Sequence, residues 1–574
     1  MKKLLFILSV SIVFACNNPA SNKADSNNQK GAVTVYFNGD IITMVGEEPA
    51  YVEALAVKDG HILFVGTKEA ATQAAGANPT FIDLKGQTLL PGFIDAHSHF
   101  ANYADATVQA DLNPPPVGTV TSIAGIISAL QELKKKGALS DTATIIGYGY
   151  DQDYLQEKRH PTAADLDAAF PTNPVILKHT SGHMLVANTA AMRKAGVTAA
   201  TKDPVGGTFI RKKGSKEPEG LAQEMAQYSF VSMLMAPSPE EAEIKKFKLA
   251  QDYYASCGVT TAAEHLALPE KVSLLQKAAA QKVFQLDVVV APSYQMAKDI
   301  VGTGKINWGV YDNHVKFAGI KMATDGSPQG KTAFLSKPYL TPVPGCTHDC
   351  KGFPNMVQKE INELMLLCYK NKVQLFSHCN GDASIDMMIA GHQYACSTLG
   401  DSTSDRRTVI IHSQIMRPDQ LALYKKYQLL PSFFTNHTFY WGDVHFQNLG
   451  KDRSDYLSPM KAAFDLGIPA TNHTDCIVTP MDQLFLLWTS VNRVSRSGKL
   501  IGKEQRVSPY QGLKALTING AYEYFEEKNK GTLEVGKMAD LVVLNKNPIK
   551  VTPVEIKDIK VVETIKEGVR IYRR

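Results

Sequence analysis

Two histidines separated by one residue directly follow an apolar stretch near the start of the chain. His97 and His99 come after Thr88–Ile94, a run with the composition of a buried strand. In an extended chain alternate residues point to the same side, so both imidazoles can reach one point in space. Neutral imidazole is the commonest protein ligand for zinc. A lone His-x-His is a weak indication, but its place at a strand end favours a metal site.

Three more side chains able to bind a metal stand where later apolar stretches end. His378 and His412 are the last residues of two such stretches, and Asp475 comes two residues after a third. Any one of them alone would be interpreted as a buried structural residue. Four strand ends that each carry a possible metal ligand are hard to obtain by chance, so together they predict one metal centre.

The elements that must position these residues alternate between strands and helices. Amphipathic runs such as Glu240–Ser256 and Met356–Lys370 separate the apolar stretches. This alternation predicts a parallel sheet, and about eight repeats predict a (β/α)8 TIM barrel, whose chemistry lies at the carboxyl ends of its strands. Nine candidates are found, so one is an insertion or an error. They are Thr88–Ile94, Val175–His179, Val259–Glu264, Leu286–Val290, Val315–Met322, Val373–His378, Thr408–His412, Leu430–Phe434 and Ile468–His473.

Both ends of the chain are rich in short strands instead. Strand candidates with polar turns between them fill residues 33–87, and Asp540–Leu544 and Val561–Glu567 resemble them. This pattern predicts a small composite β-sandwich assembled from residues 33–87 and 526–574. Residues 88–525 would then form the barrel, inserted between the two parts.

The first sixteen residues have the pattern of an export signal. Lys2 and Lys3 precede the apolar run Leu4–Phe14, which is too short to span a bilayer and ends before Cys16. This resembles a bacterial lipoprotein signal, residues 1–16, in which Cys16 is lipidated; the alternative is an ordinary secretory signal cleaved near Ala15. Residues 17–32 would be a flexible tether. No later stretch has about 20 uninterrupted apolar residues, so membrane contact is expected through Cys16 alone, on the periplasmic side of the envelope or the cell surface.

Composition excludes some functions and leaves others open. The 574 residues exceed one ordinary domain, and the formal net charge is only +5. No stripe of Lys and Arg interleaved with aromatic residues is found, so nucleic acid is not an expected partner. Cys346 and Cys350 predict a local disulfide in an oxidising compartment. A zinc knuckle is the alternative, but no second Cys/His pair follows at zinc-finger spacing. An oligomer remains open.

Taken together, these motifs resemble the amidohydrolase superfamily, and most closely the branch that includes N-substituted formamide deformylase. The resemblance runs from about Val33 to Tyr572 and implies a distorted TIM barrel with a composite β-sandwich. It rests on five segments: Pro91–His99, Lys321–Ser327, His378–Asp382, His473–Asp475 and Gly531–Leu544.

The resemblance implies a ligand set for one or two divalent metals, with zinc the expected ion. His97 and His99 would bind one metal. His378 and His412 would bind a second, or His378 would complete a single-metal site. Lys321 would be carboxylated to a bridging carbamate, because an unmodified ammonium cannot bind a cation; the alternative is an ordinary salt-bridged lysine.

The resemblance also implies the reaction. Asp475 would contact the metal and act as general base on its water, which the metal makes acidic enough to ionise near neutrality. The expected substrate is a small-molecule amide, cleaved at a carbon–nitrogen bond other than a peptide bond. A deaminase or esterase reaction at the same site is the alternative. A ligand-binding lipoprotein without activity is disfavoured, since every expected ligand is present.

Four further residues are predicted to contact the substrate. His183 matches a family position that binds substrate or polarises its carbonyl. Tyr150 and Asp151 are expected to line the pocket, although a role in a turn is equally compatible, and His437 is expected to face the substrate. The sequence departs from the commonest family pattern in Glu264-His265 and in His473-Thr474-Asp475-Cys476. These departures leave the ligands in place and weaken any inference about substrate preference.

Overall fold

The computed structural model describes residues 31–234, 238–343 and 346–574, which form an α/β fold. The predicted signal peptide, Cys16 and nearly all of the predicted tether lie outside these residues. Within the described residues, no helix combines the length and apolar character needed to cross a membrane.

The strands of the described residues are numbered in chain order. They are β1 Val33–Ile42, β2 Tyr51–Lys58, β3 His61–Gly66, β4 Thr80–Asp83, β5 Thr88–Pro91, β6 Phe93–Ile94, β7 Ala110–Asp111, β8 Ile145–Tyr150, β9 Val175–His179, β10 Met184–Ala187, β11 Gly207–Arg211, β12 Pro218–Glu224, β13 Val259–Ala267, β14 Asp287–Pro292, β15 Tyr311–Asp312, β16 Val315–Phe317, β17 Gly319–Ala323, β18 Gln374–Gly381, β19 Val409–Ile415, β20 Leu430–Phe433, β21 Thr471–Asn472, β22 Leu541–Leu544, β23 Val561–Lys566 and β24 Val569–Arg573.

The α-helices are numbered in the same way. They are α1 Lys68–Ala75, α2 Phe100–Ala106, α3 Ile123–Lys136, α4 Ala163–Asp167, α5 Thr189–Ala195, α6 Val231–Leu234, α7 Glu240–Ser256, α8 Pro269–Ala280, α9 Ala297–Ile300, α10 Gln358–Lys370, α11 Asp382–Leu399, α12 Pro418–Tyr427, α13 Asn436–Tyr440, α14 Gly442–Leu449, α15 Lys451–Asp455, α16 Met460–Asp465, α17 Gln483–Asn492, α18 Pro509–Leu516 and α19 Ile518–Glu523. Short 3-10 helices span Met225–Phe230, Tyr294–Met296, Lys503–Gln505 and Pro553–Asp558.

The two ends of the chain share one eight-stranded sheet. Its order is β24-β23-β22-β5-β1-β2-β3, with β4 beside β1. β5 connects the strands from the two ends of the chain, because it pairs in parallel with β1 and antiparallel with β22. One apolar cluster joins Ile41 and Leu89 to Leu541 and Val543. The termini therefore build one sheet together, while its arrangement as a sandwich stays a prediction.

Two mainly parallel sheets carry the strands that precede the candidate metal ligands. Their orders are β15-β16-β14-β13-β6 and β17-β18-β19-β20-β21. Strands β14, β18, β19 and β20 are buried along their whole length, as expected for parallel strands covered on both faces. Buried residues of the surrounding helices and of these strands form the largest apolar cluster.

The two parallel sheets approach each other along both edges. Ser293, which follows β14, forms a parallel bridge with Lys321 in β17. At the other edge, the Asp475 amide donates to the His97 carbonyl at 3.3 Å. Among the described residues these isolated contacts do not extend into ladders that close a ring, so a closed barrel stays a prediction.

A third sheet accounts for the extra strand among the nine candidates. Val175–His179 is β9 of a six-stranded sheet with the order β11-β12-β10-β9-β8-β7. Its assignment to the barrel was wrong. β9 is apolar and pairs in parallel with β8, so its local sequence has the same character as a barrel strand.

A second boundary also differs from the prediction. The expected strand Thr88–Ile94 is divided at Gly92 into β5, in the terminal sheet, and β6, in a parallel sheet. A Cβ atom at Gly92 would lie 2.4 Å from the Thr260 side chain. The chain thus crosses between sheets at a position where the neighbouring strand leaves room only for glycine.

Cys346 and Cys350 form the local disulfide that the sequence predicts. Because both sulfurs are in this bond, the zinc-knuckle alternative is excluded. The other cysteines of the described residues are unpaired, and most are buried.

Candidate metal-binding active site

A cavity of about 250 Å³ opens at the carboxyl ends of the parallel strands. Residues of the third sheet and of its connections, including His183 between β9 and β10, form part of its wall. All six predicted metal ligands line it: His97, His99, Lys321, His378, His412 and Asp475. The structure therefore brings together side chains that are spread over most of the chain.

The first group of candidate ligands consists of two imidazoles and one carboxylate. His97 Nε2 and His99 Nε2 each lie 3.3 Å from Asp475 Oδ1. His99 Nδ1 lies 2.9 Å from the His265 carbonyl, which can only accept, so Nδ1 carries the proton and Nε2 keeps its lone pair. The backbone of Asp475 has φ 52°, a left-handed conformation that few non-glycine residues adopt.

The second group lies on the other side of Asp475. His378 Nδ1 and His412 Nε2 are 2.9 Å apart, and His412 Nε2 is 3.9 Å from Asp475 Oδ2. His378 Nε2 is 3.1 Å from the Gly326 carbonyl, to which it donates, so Nδ1 keeps the lone pair. His412 also has a left-handed backbone, with φ 71°. Two imidazoles thus present nitrogen atoms to the same space.

Burial sets the protonation states of these groups. It lowers the pKa of His97, His378 and His412 well below the ordinary value, so these imidazoles are neutral. For Asp475 burial acts against ionisation, but neighbouring imidazoles, His97 foremost, outweigh it and hold the pKa well below its usual range. Neutral imidazoles and an ionised carboxylate are the states that a divalent cation requires.

Lys321 lies buried among these residues. Only 2% of its surface is exposed, and its Nζ atom makes no hydrogen bond within the described part of the chain. Burial lowers the pKa of Lys321 to about 7, although Asp475 acts in the opposite direction. A substantial share of the side chain is therefore a neutral amine near neutral pH.

Two buried polar atoms test whether these residues suit a metal. Lys321 Nζ and Asp475 Oδ1 both lack a hydrogen-bond partner among the described residues. His97 and His99 approach Asp475 Oδ1 closely but not with hydrogen-bond geometry. Leaving buried polar atoms unpaired is costly, and a cation with nitrogen and oxygen ligands would remove that cost. The residues fit such an ion.

Comparison with known proteins gives the family. Residues 80–572 match the sequence profile of the Amidohydrolase family. The chain belongs to this family. It is 24% identical over 533 residues to N-substituted formamide deformylase of Arthrobacter pascens. The alignment covers 91% of this chain and 95% of that protein. The family predicted from the motifs is thereby confirmed, and this amidohydrolase is a hydrolase.

Solved structures share the fold. An uncharacterized metal-dependent hydrolase from Pyrococcus horikoshii aligns with a TM-score of 0.72 at 22% identity, covering 91% of this chain and 99% of that one. An adenosine deaminase from Xanthomonas campestris with bound zinc aligns with a TM-score of 0.52 at 11% identity, covering 94% and 93%. Both likenesses concern the α/β fold of the amidohydrolase superfamily.

His183 lies beside the second group of ligands in this amidohydrolase. Its ring centroid is 4.6 Å from that of His378, and its Nδ1 lies 2.8 Å from Glu224 Oε2. Burial lowers the pKa of His183, but the Glu224 carboxylate outweighs burial and raises it above the ordinary value. His183 can therefore carry a proton and donate it to an oxygen in the cavity.

Tyr150 and Asp151 are not on the cavity wall, contrary to the sequence prediction. The Tyr150 hydroxyl lies 3.1 Å from His160 Nδ1, and Asp151 accepts a hydrogen bond from a buried indole at 2.8 Å. The pairing of β8 with β9 shifts register between Tyr148 and Tyr150, which turns Tyr150 away. Tyr148 lines the cavity instead.

His437 does not line the cavity either. It lies in α13, is almost fully buried, and its Nδ1 is 2.9 Å from His445 Nε2. The sequence correctly placed it beyond β20. The helix that begins three residues after the end of that strand directs the ring into the protein.

Three residues that support the site were not predicted to do so. His265 Nδ1 lies 2.9 Å from His97 Nδ1, and the His265 carbonyl accepts a hydrogen bond from His99 Nδ1. His473 Nε2 lies 3.1 Å from His412 Nδ1. Glu224 contacts His183 from another strand. An adjacent ligand motif could have indicated His473, but no local pattern indicates Glu224.

Proposed function

We propose that this amidohydrolase cleaves a carbon–nitrogen bond, other than a peptide bond, in a small-molecule amide. The observation that carries the proposal is the convergence of His97 Nε2 and His99 Nε2 on Asp475 Oδ1 at 3.3 Å. The two other imidazoles and the unpartnered Lys321 complete one compact donor set. The sequence likeness to an amide-cleaving relative supports the same bond type.

The donor set suits one or two divalent cations, and its nitrogen-rich composition favours zinc. His97, His99 and Asp475 would hold the first ion, and His378 and His412 the second. When bound, such an ion lowers the pKa of a coordinated water from its bulk value toward about 7 and polarises a carbonyl.

The chain supplies the proton transfers. Asp475 accepts the proton of the attacking water and returns it to the nitrogen that leaves as an amine. His183 donates a hydrogen bond to the carbonyl oxygen, which becomes more negative as the water adds. Glu224 holds the His183 ring in position and keeps it protonated.

Lys321 would become a carbamate, whose oxygen atoms would help to hold the ions. A neutral amine adds carbon dioxide and loses one proton, and the burial that lowers the pKa of Lys321 to about 7 makes the neutral form available. The product is an anionic oxygen ligand in place of a cation.

The fold would be a distorted (β/α)8 barrel with a composite β-sandwich. Eight strands would form this barrel, namely β6, β13, β14, β17, β18, β19, β20 and β21, and five of them carry or directly precede a candidate ligand. Ile94, Val289, Phe376 and Ile411, from both parallel sheets, form one apolar cluster beneath the site, as the packed interior of a barrel requires.

Metal content and hydrolysis measured on one preparation test the function. Purified protein should contain one or two equivalents of a divalent metal, and removal of the metal should abolish amide hydrolysis. His99→Ala should lower both, whereas an exposed carboxylate variant, Asp452→Asn, should change neither. Esters and aminopurines assayed in parallel distinguish the esterase and deaminase reactions. Full hydrolysis by metal-free protein would refute the proposal.

Cys16 would tether the enzyme to the envelope, facing the periplasm or the cell surface. The proposal rests on the sequence of residues 1–16 alone. Lipid labelling should be present in the full chain and absent in Cys16→Ala. Equal labelling of both would exclude this anchor.

A further inference from the structure

One lysine of the active-site cavity forms no ion pair with any described residue. Lys178, in β9, lines the cavity, and its Nζ atom makes no hydrogen bond or ion pair within the described part of the chain. The neighbouring ammonium groups differ in this respect. Lys246 and Lys271 share the carboxylates of Asp105 and Glu243 at distances of 2.5–3.4 Å. Of these three lysines, only Lys178 has no carboxylate partner among the described residues, so its ammonium can bind a ligand.

The surroundings of Lys178 do not satisfy its charge. The side chain is partly buried, and it lines the cavity. Burial lowers the pKa of Lys178, and the effect of Asp105, although opposite, is too weak to reverse this. A partly desolvated ammonium without a paired anion costs free energy, which an anionic ligand would recover.

Two more unpaired polar groups share this wall. Tyr148 in β8 is the register partner of Lys178 in β9, so the two side chains stand next to each other on adjacent strands. No hydrogen bond is made by the Tyr148 hydroxyl among the described residues. The side-chain amide of Gln109, just before β7, makes no hydrogen bond among the described residues, so its Nε2 amine is available to donate. Both residues line the cavity.

We propose that Lys178, Tyr148 and Gln109 bind a carboxylate of the substrate, so that the substrate is an amide bearing an acid group, such as an N-acyl amino acid. This inference rests on the proposed function and names its substrate class. One ammonium and two neutral donors match a single negative charge, which favours a carboxylate over a phosphate dianion. The charge-assisted hydrogen bond from Lys178 would supply most of the selectivity.

The site should discriminate strongly between an acid and its neutral isostere. A carboxamide has nearly the same shape as a carboxylate but would leave the Lys178 ammonium uncompensated in the cavity. A hydrogen bond to a charged group corresponds to roughly a 10- to 100-fold preference. This preference should appear mainly in KM, because these residues lie outside the candidate metal ligands and the proton-transfer groups.

Matched pairs of N-formyl and N-acetyl amino acids and their carboxamides test the proposal on metal-loaded enzyme. The wild type should prefer each acid by roughly 10- to 100-fold in kcat/KM. Lys178→Met should lose this preference through KM while keeping kcat on the carboxamide, and Tyr148→Phe should lose part of it. Lys135→Met, an exposed lysine of α3, is the matched control and should behave as wild type.

Three outcomes would overturn the inference. Equal kcat/KM of the wild type for acids and carboxamides would remove the selectivity. An equal loss on both substrates in Lys178→Met would indicate a structural role. Where no amide of the panel is hydrolysed, which counts against the proposed function itself, calorimetric binding still decides. In that case, the acids should bind more tightly than the carboxamides to the wild type, and the two should bind with equal affinity to Lys178→Met. Equal affinity of the wild type for acids and carboxamides would overturn the inference.

Discussion

Replacing Asp475 by Asn separates its role as a base from its role as a ligand. Asparagine keeps the size of the side chain and one carbonyl oxygen that can face His97 and His99. It lacks the negative charge and cannot accept the proton of the attacking water. We therefore expect Asp475→Asn to fold and to retain much of its metal, while kcat falls far more than KM rises.

The magnitude follows from the charge state of Asp475. A positioned general base contributes about 10²–10⁴-fold, and most when its pKa lies near the working pH. The neighbouring imidazoles, His97 foremost, hold the pKa of Asp475 well below its usual range, which makes it a weak base. The expected loss is therefore in the lower half of that range, about 10²–10³-fold in kcat.

The assay measures metal content and steady-state kinetics on the same preparation. Asp452→Asn makes the same chemical change on the surface and should leave kcat and metal content unaltered. A variant that retains its metal and still shows near-wild-type kcat would refute the assignment. The proton acceptor would then have to be sought in Glu264, another carboxylate that lines the cavity.

Two further variants probe the electrostatics around and away from the site. Glu224→Gln removes the charge that raises the pKa of His183. The alkaline limb of the kcat/KM pH profile, where His183 loses its proton, should therefore move to lower pH. An unchanged limb would show that His183 is not the donor. Asp287→Asn leaves the buried Lys530 ammonium short of a partner and should cost about 3–5 kcal/mol in urea denaturation, against no change in Asp452→Asn. Burial opposes the ionisation of Asp287, but its lysine partners depress its folded pKa, so this stability is present above the unfolded pKa of about 3.9 and lost as pH falls. A wild-type denaturation midpoint in Asp287→Asn would show that this ion pair is not needed.

The sequence predicted the histidine and aspartate ligands because each stands at or just after the end of an apolar stretch, where local order along the chain suffices. Lys321 was implied by the family resemblance alone. His97 and His99 needed only the alternation of an extended chain. Tyr148 and Tyr150 show the limit of that reasoning, since an irregularity at Gly149, with φ 91°, reverses which of them faces the cavity. Contacts between distant strands, such as that of Glu224 with His183, leave no local pattern.

The wrong assignment of β9 to the barrel has a different cause. β9 and the barrel candidates are all apolar runs in parallel pairings, and such runs differ only in their neighbours across the sheet. Neighbours are fixed by topology, which one sequence does not display. The same holds for the division at Gly92, where the reason for the glycine is a side chain 168 residues away.

The position of β5 between β1 and β22 has a consequence for biosynthesis. While the chain leaves the ribosome, β5 presents unpaired amide and carbonyl groups until β22, which begins 450 residues after the end of β5, has also emerged. Such an open strand is a template for pairing with other chains, so the nascent protein would need protection during that interval. A premature stop that deletes only β22, β23 and β24 would also expose β5 permanently. A peptide tag after β24, by contrast, would extend from an outer strand and leave the sheet intact.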